Sequence, residues 1–414
     1  MNAEVKPGYK LAEEGVIPEG WSVVQLGDHV KITSGASPSL FRLSTDGIPY
    51  FKVEQLGNNP KHLDSESTPY HFKVGPTVQA GSIVFAKRGA AIALNKIRIL
   101  SEESFMDTNI MALTPGSDLD SSYLFYALSH IGLWRFADTT SIPQINNKHI
   151  KPLLLSLPGK SEQRAITSAL SDMDALISSL DQLIAKKRDT QQAAMQQLLT
   201  GQRRLPEFSG EWKDGKFRDV VKSLEAGISV NSTDDLPEPG LPCVLKTSAL
   251  SSGHFLPNEA KAIIAADRKR ACTNPKRNTI LISRMNTPAL VGEIAYVDKD
   301  YNWLFLPDRL WMTQFISDDC VNARWLAYLL SSRPYRRLLQ DSATGTSGSM
   351  KNISKGVLLN LQISYPSIEE QTAIATILSD MDTELAALEA RRDKARQIKQ
   401  GMMQELLTGR IRLV

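Results

Sequence analysis

The side chains that most often carry catalysis are present, but their spacing is wrong for it. The six histidines, His29, His62, His71, His130, His149 and His254, never stand at i, i+4, and none opens a His-Glu-x-x-His run, so the spacing of a helix-borne zinc hydrolase is missing. Gly159-Lys160-Ser161 resembles the end of a phosphate loop, but Leu154 stands where such a loop needs its first glycine, and a side chain there would block the backbone cradle. No Gly-x-Gly-x-x-Gly follows a strand pattern. No Asp-Pro-Pro-Tyr or Asn-Pro-Pro-Phe tetrad offers an amino group to a methyl donor, and Pro307-Asp308 lacks the acidic-x-Lys of a nuclease. Cys243, Cys272 and Cys320 all fall in the second half without a Cys-x-x-Cys pair, which argues against a zinc knuckle or disulfide framework and fits a reducing compartment. We therefore expect no catalytic residues, no metal ligands and no cofactor in this chain.

What remains is cationic and amide chemistry set among turn residues. Arg268-Lys269-Arg270 and Lys276-Arg277 place five positive charges within ten residues, with Asn274-Pro275 between them. A loop of this composition suits DNA phosphates, and it also suits a solvated face. Lys87-Arg88-Gly89 follows the apolar run Ile83-Val84-Phe85, and Arg284 follows Ile280-Leu281-Ile282. Long cations at strand ends can reach base edges, arginine being the favoured guanine reader. Lys52 and Lys246 close two further matching segments, and Lys351 stands in the Ser347-Gly348-Ser349-Met350-Lys351-Asn352 stretch. That stretch and Ser34-Gly35-Ala36-Ser37-Pro38-Ser39 are rich in residues that allow close backbone approach, to a ligand or within an ordinary turn. The candidate DNA contacts are therefore Lys52, Lys87, Arg88, Lys246, Arg268, Lys269, Arg270, Lys276, Arg277, Arg284 and Lys351.

The elements that must position these residues are written twice. Residues 163–205 match 371–413 without a gap, 20 of 43 positions being identical, far beyond chance for helical sequence. Leu170-Ser171-Asp172-Met173-Asp174 returns as Leu378-Ser379-Asp380-Met381-Asp382, and Leu198-Leu199-Thr200-Gly201 as Leu406-Leu407-Thr408-Gly409. The intervening stretches echo more faintly. Ile166, Leu170, Met173, Ile177, Leu180 and Ile184 alternate steps of four and three, as do Ile374, Leu378, Met381, Leu385 and Leu388, a heptad seam in each copy. Pro158 and Pro366 precede the two helices, and Gly201 and Gly409 end them. Helices of about 38 residues, about 57 Å long, need a partner along their length, and an antiparallel pairing of the two copies supplies it. The second copy turns polar near Arg391-Arg392, which leaves the evenness of that pairing open.

We expect an α+β chain: a globular domain over 1–160, a helix over 161–205, a second globular domain over 206–366 and a second helix over 367–414, with an internal pseudo-twofold repeat. Leu153–Leu157 and Leu359–Ile363 read as strands leading into each helix. The outward helix positions Gln163, Asp172, Gln192, Gln196, Gln371 and Asp380 are candidates for partner binding, or for a plain solvated face. At 42% hydrophobic and 22% charged residues with net charge +3, the composition is that of an ordinary globular protein, and any grip on DNA must be local or shared with a partner. The chain has no apolar run of membrane-spanning length and no secretory pattern behind Met1, so a cytoplasmic location is expected.

Several segments, in order and twice over, resemble the specificity subunits of Type I restriction-modification enzymes. They are Tyr9-Lys10-Leu11 with Gly15-Val16-Ile17-Pro18-Glu19-Gly20-Trp21, the strand and basic turn Gly81 to Gly89, and Leu157-Pro158 leading to Glu162-Gln163 and Ile166. Pro366 leading to Glu370-Gln371 and Ile374, and the two Leu-Leu-Thr-Gly helix ends, complete the set. The resemblance implies that each globular domain reads half of a split target in double-stranded DNA and that the helices form an antiparallel coiled coil. It implies two methyltransferase subunits on the helical parts, which translocase-nuclease subunits can join. S-adenosylmethionine, ATP and magnesium would then belong to those partners. A recognition module of a variant defence system shares this architecture, and a coiled-coil adaptor that binds no DNA is the alternative from another class.

Overall fold

The computed structural model describes residues 6–413 except 14, 38–42, 45–46, 139–141, 234–239, 252, 318 and 346–349, and the backbone alone at 43–44. The chain divides into two compact units, Met1–Gln182 with Glu389–Val414, and Leu183–Leu388. The long helices Lys160–Leu198 and Ile368–Leu406, 39 residues and about 58 Å each, supply a segment to both units.

The first unit is built on a five-stranded sheet in the order 30–34, 110–115, 83–86, 98–100, 62–63. Ile83–Ala86 is apolar at every position because both faces of this central strand are covered. Side chains alternate across a strand, and Ile83 and Phe85 enter one core while Val84 and Ala86 enter another. The first core lies under the helix Ser121–Ile131, with Ile166 and Leu170 of the first long helix and Leu406 and Leu407 at the end of the second. The second core faces a smaller sheet, in which Ile48–Phe51 pairs in parallel with Phe105–Met106.

The second unit repeats the plan. Its sheet runs 221–226, 310–315, 279–283, 294–297, and Cys243–Leu245 pairs in parallel with Leu304–Phe305. Ile280 and Ile282 face the core that holds Ile374 and Leu378, while Leu281 faces the other. The expected strands 83–85 and 280–282 are thus central strands. The expected strand at Leu153–Leu157 is present as Leu154–Leu157, but the one placed at 359–363 is displaced: Lys355–Leu359 is helical and the strand is Gln362–Tyr365. Ser354 caps that short helix by accepting from the Val357 amide, so Leu359 belongs to a helical turn.

In each unit the helix segments pair antiparallel. In the first, Asp174 meets Lys399 at 2.6 Å and Asp181 meets Arg396 at 3.0 Å. In the second, Lys187 meets Glu384 at 2.7 Å and Gln191 donates to Asp382 at 2.6 Å. The polar stretch after Arg391 stays helical to Leu406, and Arg392, Arg396 and Lys399 find carboxylates where the seam lacks leucines.

Candidate nucleic-acid interface

The repeated motifs of the long helices fasten each unit together. Gln163 and Gln371, expected to face partners, are buried at 0% and 1% exposure. The Gln163 amide donates to the carbonyls of Asp118 and Pro158 and its oxygen accepts from the Asp120 amide. Gln371 donates to Pro366 and accepts from the Asn322 amide. A carboxamide carries both donors and an acceptor, so it can satisfy orphan backbone groups where two helices begin. This corrects the outward placement. Asp172, Gln192, Gln196 and Asp380 are exposed as expected.

The neighbouring glutamates hold the tail segments. Arg412 makes a two-pronged pair with the buried Glu162, which also accepts from the Trp21 indole at 2.8 Å. Arg204 does the same to Glu370, both bonds 2.6 Å. The second aspartate of each Leu-Ser-Asp-Met-Asp motif accepts a tyrosine hydroxyl from the unit's own short helix, Tyr126 to Asp174 at 2.6 Å and Tyr328 to Asp382 at 2.5 Å. Burial and the adjoining carboxylate push both phenols well above the ordinary tyrosine range.

With the scaffold anchored, each central strand runs on into a small ribbon, held by two single-residue bridges in the first unit and by a two-stranded ladder with one added bridge in the second. In the first unit, Gly89 N donates to Pro143 O and Ile145 N to Lys87 O, which sets Arg88 opposite Gln144. Asp138 and Gln144 exchange both backbone bonds on the far side. In the second, Met285 stands opposite Asn352, Ile353 N donates to Arg284 O, and Thr344 exchanges bonds with Asn352. Gly35 and Gly227 hold the sheet edge in close register nearby. A Cβ at Gly35 would overlap the Asp107 carbonyl, and one at Gly227 the Leu306 carbonyl. The approach that Gly35 permits is therefore to the chain's own backbone. Ser347, Gly348 and Ser349 of the other expected loop lie outside the described residues.

The cationic candidates fall into three groups. Arg88 is exposed at the ribbon, while Lys87 is half-buried, and its ammonium is held below the ordinary lysine range by burial, with Asp107 opposing. Lys52 is also half-buried, its ammonium 3.7 Å from the centre of the Tyr70 ring. Arg284 is committed to the protein: its Nε donates to Asp308 O at 2.6 Å and its guanidinium lies over Trp311. Lys246 leans on Glu259 at 3.7 Å, and Lys351 is half-buried in the ribbon strand. In the basic loop, Arg268, Lys269, Arg270, Lys276 and Arg277 are all exposed. Arg270 is tied to Asp267 at 2.9 Å, and the Nε of Arg268 donates to Ile263 O. The backbone amide of Asn231, followed by Arg270, holds Asp267 below the usual carboxylate range.

Sequence reading missed Gln144 and the Asp138–Lys148–His149 group beside it, in which Asp138 accepts from Lys148 at 2.9 Å and lies 3.3 Å from His149. It also missed Arg333 and Arg337, exposed at i, i+4 on the helix Arg333–Asp341. One signal was available for the ribbon. Gln144-Ile145-Asn146 and Asn352-Ile353-Ser354 are matching triplets, each an amide, a buried isoleucine and a helix cap.

Comparison with known proteins agrees with this geometry. The model of the Type I restriction modification DNA specificity domain matches residues 18–186 and again 209–399. The chain is 26% identical over 422 residues to the Type I restriction enzyme MjaVIII specificity subunit of Methanocaldococcus jannaschii, covering 96% of this chain and 94% of that one. A putative Type I restriction enzyme MjaX specificity subunit of the same organism is 22% identical, over 98% and 97% of the two chains. Among solved structures, the fold is similar to a Type I restriction-modification S subunit from M. genitalium, at 16% identity, TM-score 0.60 and coverage of 97% and 98%. It is also similar to a chain from a study of complex assembly in the type I R-M system, at 17% identity, TM-score 0.56 and coverage of 95% and 99%. With two copies of the domain spanning most of its length, the chain belongs to the family of Type I restriction-modification DNA specificity subunits, whose part in these systems is recognition of the DNA target.

Proposed function

We propose that this chain reads a bipartite target in double-stranded DNA, one half with each unit, and holds two methyltransferase subunits through the exposed faces of its long helices. The observation that carries the reading is the duplication of a complete reader: sheet, short helix, ribbon and clamp recur in both units, while the residues at the ribbon differ. Repeated helices with unlike readers are what two copies of one partner and two unlike half-sites require. Two readers on one chain add their discrimination without a second full association cost. Phosphate contacts would come from Lys269, Lys276, Arg277 and the free part of Arg268, and base contacts from the ribbons. In this reading the partners bring S-adenosylmethionine, ATP and magnesium, restriction subunits can join the assembly, and this chain performs no bond-making step.

The test is to map N6-methyladenine in the host genome with and without the gene. The expected result is one split motif that disappears on deletion and returns on complementation. An unchanged methylome, together with no salt-dependent DNA binding by the complex assembled with its methyltransferase, overturns the reading in favour of an adaptor.

A further inference from the structure

The ribbon of the first unit carries a pair of side chains with nothing to hold. Arg88 and Gln144 stand opposite each other in a pair that lacks direct hydrogen bonds between its own backbones, since the flanking bonds are Gly89 N to Pro143 O and Ile145 N to Lys87 O. In such a pair the side chains share a face and lie closer than at hydrogen-bonded positions. Arg88 is exposed and Gln144 half-exposed, and among the described residues neither side chain has a hydrogen-bond or ion-pair partner. Asp138, third in the row, would be the natural partner for Arg88, but it is already taken by Lys148 and His149.

The second unit shows the contrast. Its equivalent row is Thr344, Asn352 and Met285. The Asn352 amide, in the orientation its neighbours satisfy, donates to the carbonyls of Arg284 and Ile353. Met285 has no polar atom to offer a base beyond a weak sulfur acceptor.

A two-stranded ribbon fits the major groove, where arginine reads guanine O6 and N7 and glutamine reads adenine N6 and N7, each through two bonds. We propose that Arg88 and Gln144 are specificity-determining residues that read a guanine and an adenine at neighbouring positions of one half-site. The second unit, lacking this pair, reads its half-site by other contacts. The proposal rests on the DNA-reading function proposed above.

The experiment uses the complex of the full chain with its methyltransferase, selecting bound sequences from DNA randomised across the target. Gln144→Ala should lose about tenfold or more of the preference for adenine at one position, and Arg88→Ala the preference for guanine beside it. The other half-site should be unchanged, which also reports an intact fold. Gln144→Glu, which can only accept, should move the preference from adenine towards cytosine. Uniform weakening over all sequences, with the salt slope falling by about one for Arg88→Ala, would make these phosphate contacts and overturn the proposal. An unaltered target in both variants would overturn it equally. If the unsubstituted complex selects no sequence, it is the DNA-reading function itself that fails.

Discussion

At the scale of single residues, a side chain's value for recognition depends on whether the fold has already spent it. Arg284 and Arg88 follow equivalent central strands, yet Arg284 is bound to Asp308 O and stacked on Trp311 while Arg88 is free among the described residues. In the basic loop, Arg270 is held by Asp267, whereas Lys269 and Lys276 are exposed and have no carboxylate partner among the described residues. We predict that the double variant Lys269→Gln, Lys276→Gln weakens binding to all sequences alike and makes the salt dependence shallower by about two units, because two phosphate contacts release two fewer counterions. Titrating the complex over a range of salt checks this. A changed sequence preference with an unchanged slope would contradict it.

At the scale of elements, each unit depends on a long helix being clamped where it starts. Glu162 is 3% exposed and accepts both prongs of Arg412 as well as the Trp21 indole. Removing one partner leaves a buried charge unpaid, whereas removing both leaves none. Arg412→Leu, which leaves the buried Glu162 without its cation, should therefore lower the unfolding temperature. The pair Glu162→Leu with Arg412→Leu should cost less than Arg412→Leu alone. Calorimetric unfolding of the three proteins measures this, and a double variant less stable than the single would show that packing, not the unpaired carboxylate, sets the loss. The exposed helix pairs, such as Arg396 with Asp181, contribute about 0–1 kcal/mol each.

For the whole molecule, duplication sets the expected stoichiometry. Asp172 and Asp380 are the same residue of the repeated motif, both exposed, one in each unit. If each marks a docking face for a methyltransferase subunit, Asp172→Lys should lower the number bound from two to one, and the double variant with Asp380→Lys should bind none. Reversing a charge at an interface adds repulsion as well as removing attraction. Native mass spectrometry of the complexes gives the count directly. Two partners retained by the double variant would place the docking surface elsewhere.

The periodicity of 163–205 and 371–413 was by itself enough to determine two long helices and their duplication, because heptads, prolines and glycines act through local geometry, whereas the orientation of their pairing is set by tertiary contacts. Central strands at 83–85 and 280–282 were equally legible from unbroken apolar runs. The end of the second reader was not: Leu359–Ile363 reads as a strand by composition, but the cap at Ser354 and the packing of Leu358 carry a helix to Leu359, and the strand starts at Gln362. Gln163 and Gln371 looked like surface residues because glutamine usually is one, and only the neighbouring backbone groups explain their burial. The ribbon stayed hidden for the same reason. Opposition of Arg88 to Gln144, 56 positions apart in the chain, is a long-range pairing, and neither residue's type or spacing encodes it. Tertiary structure alone decided which cations were already neutralised and which were left for a partner.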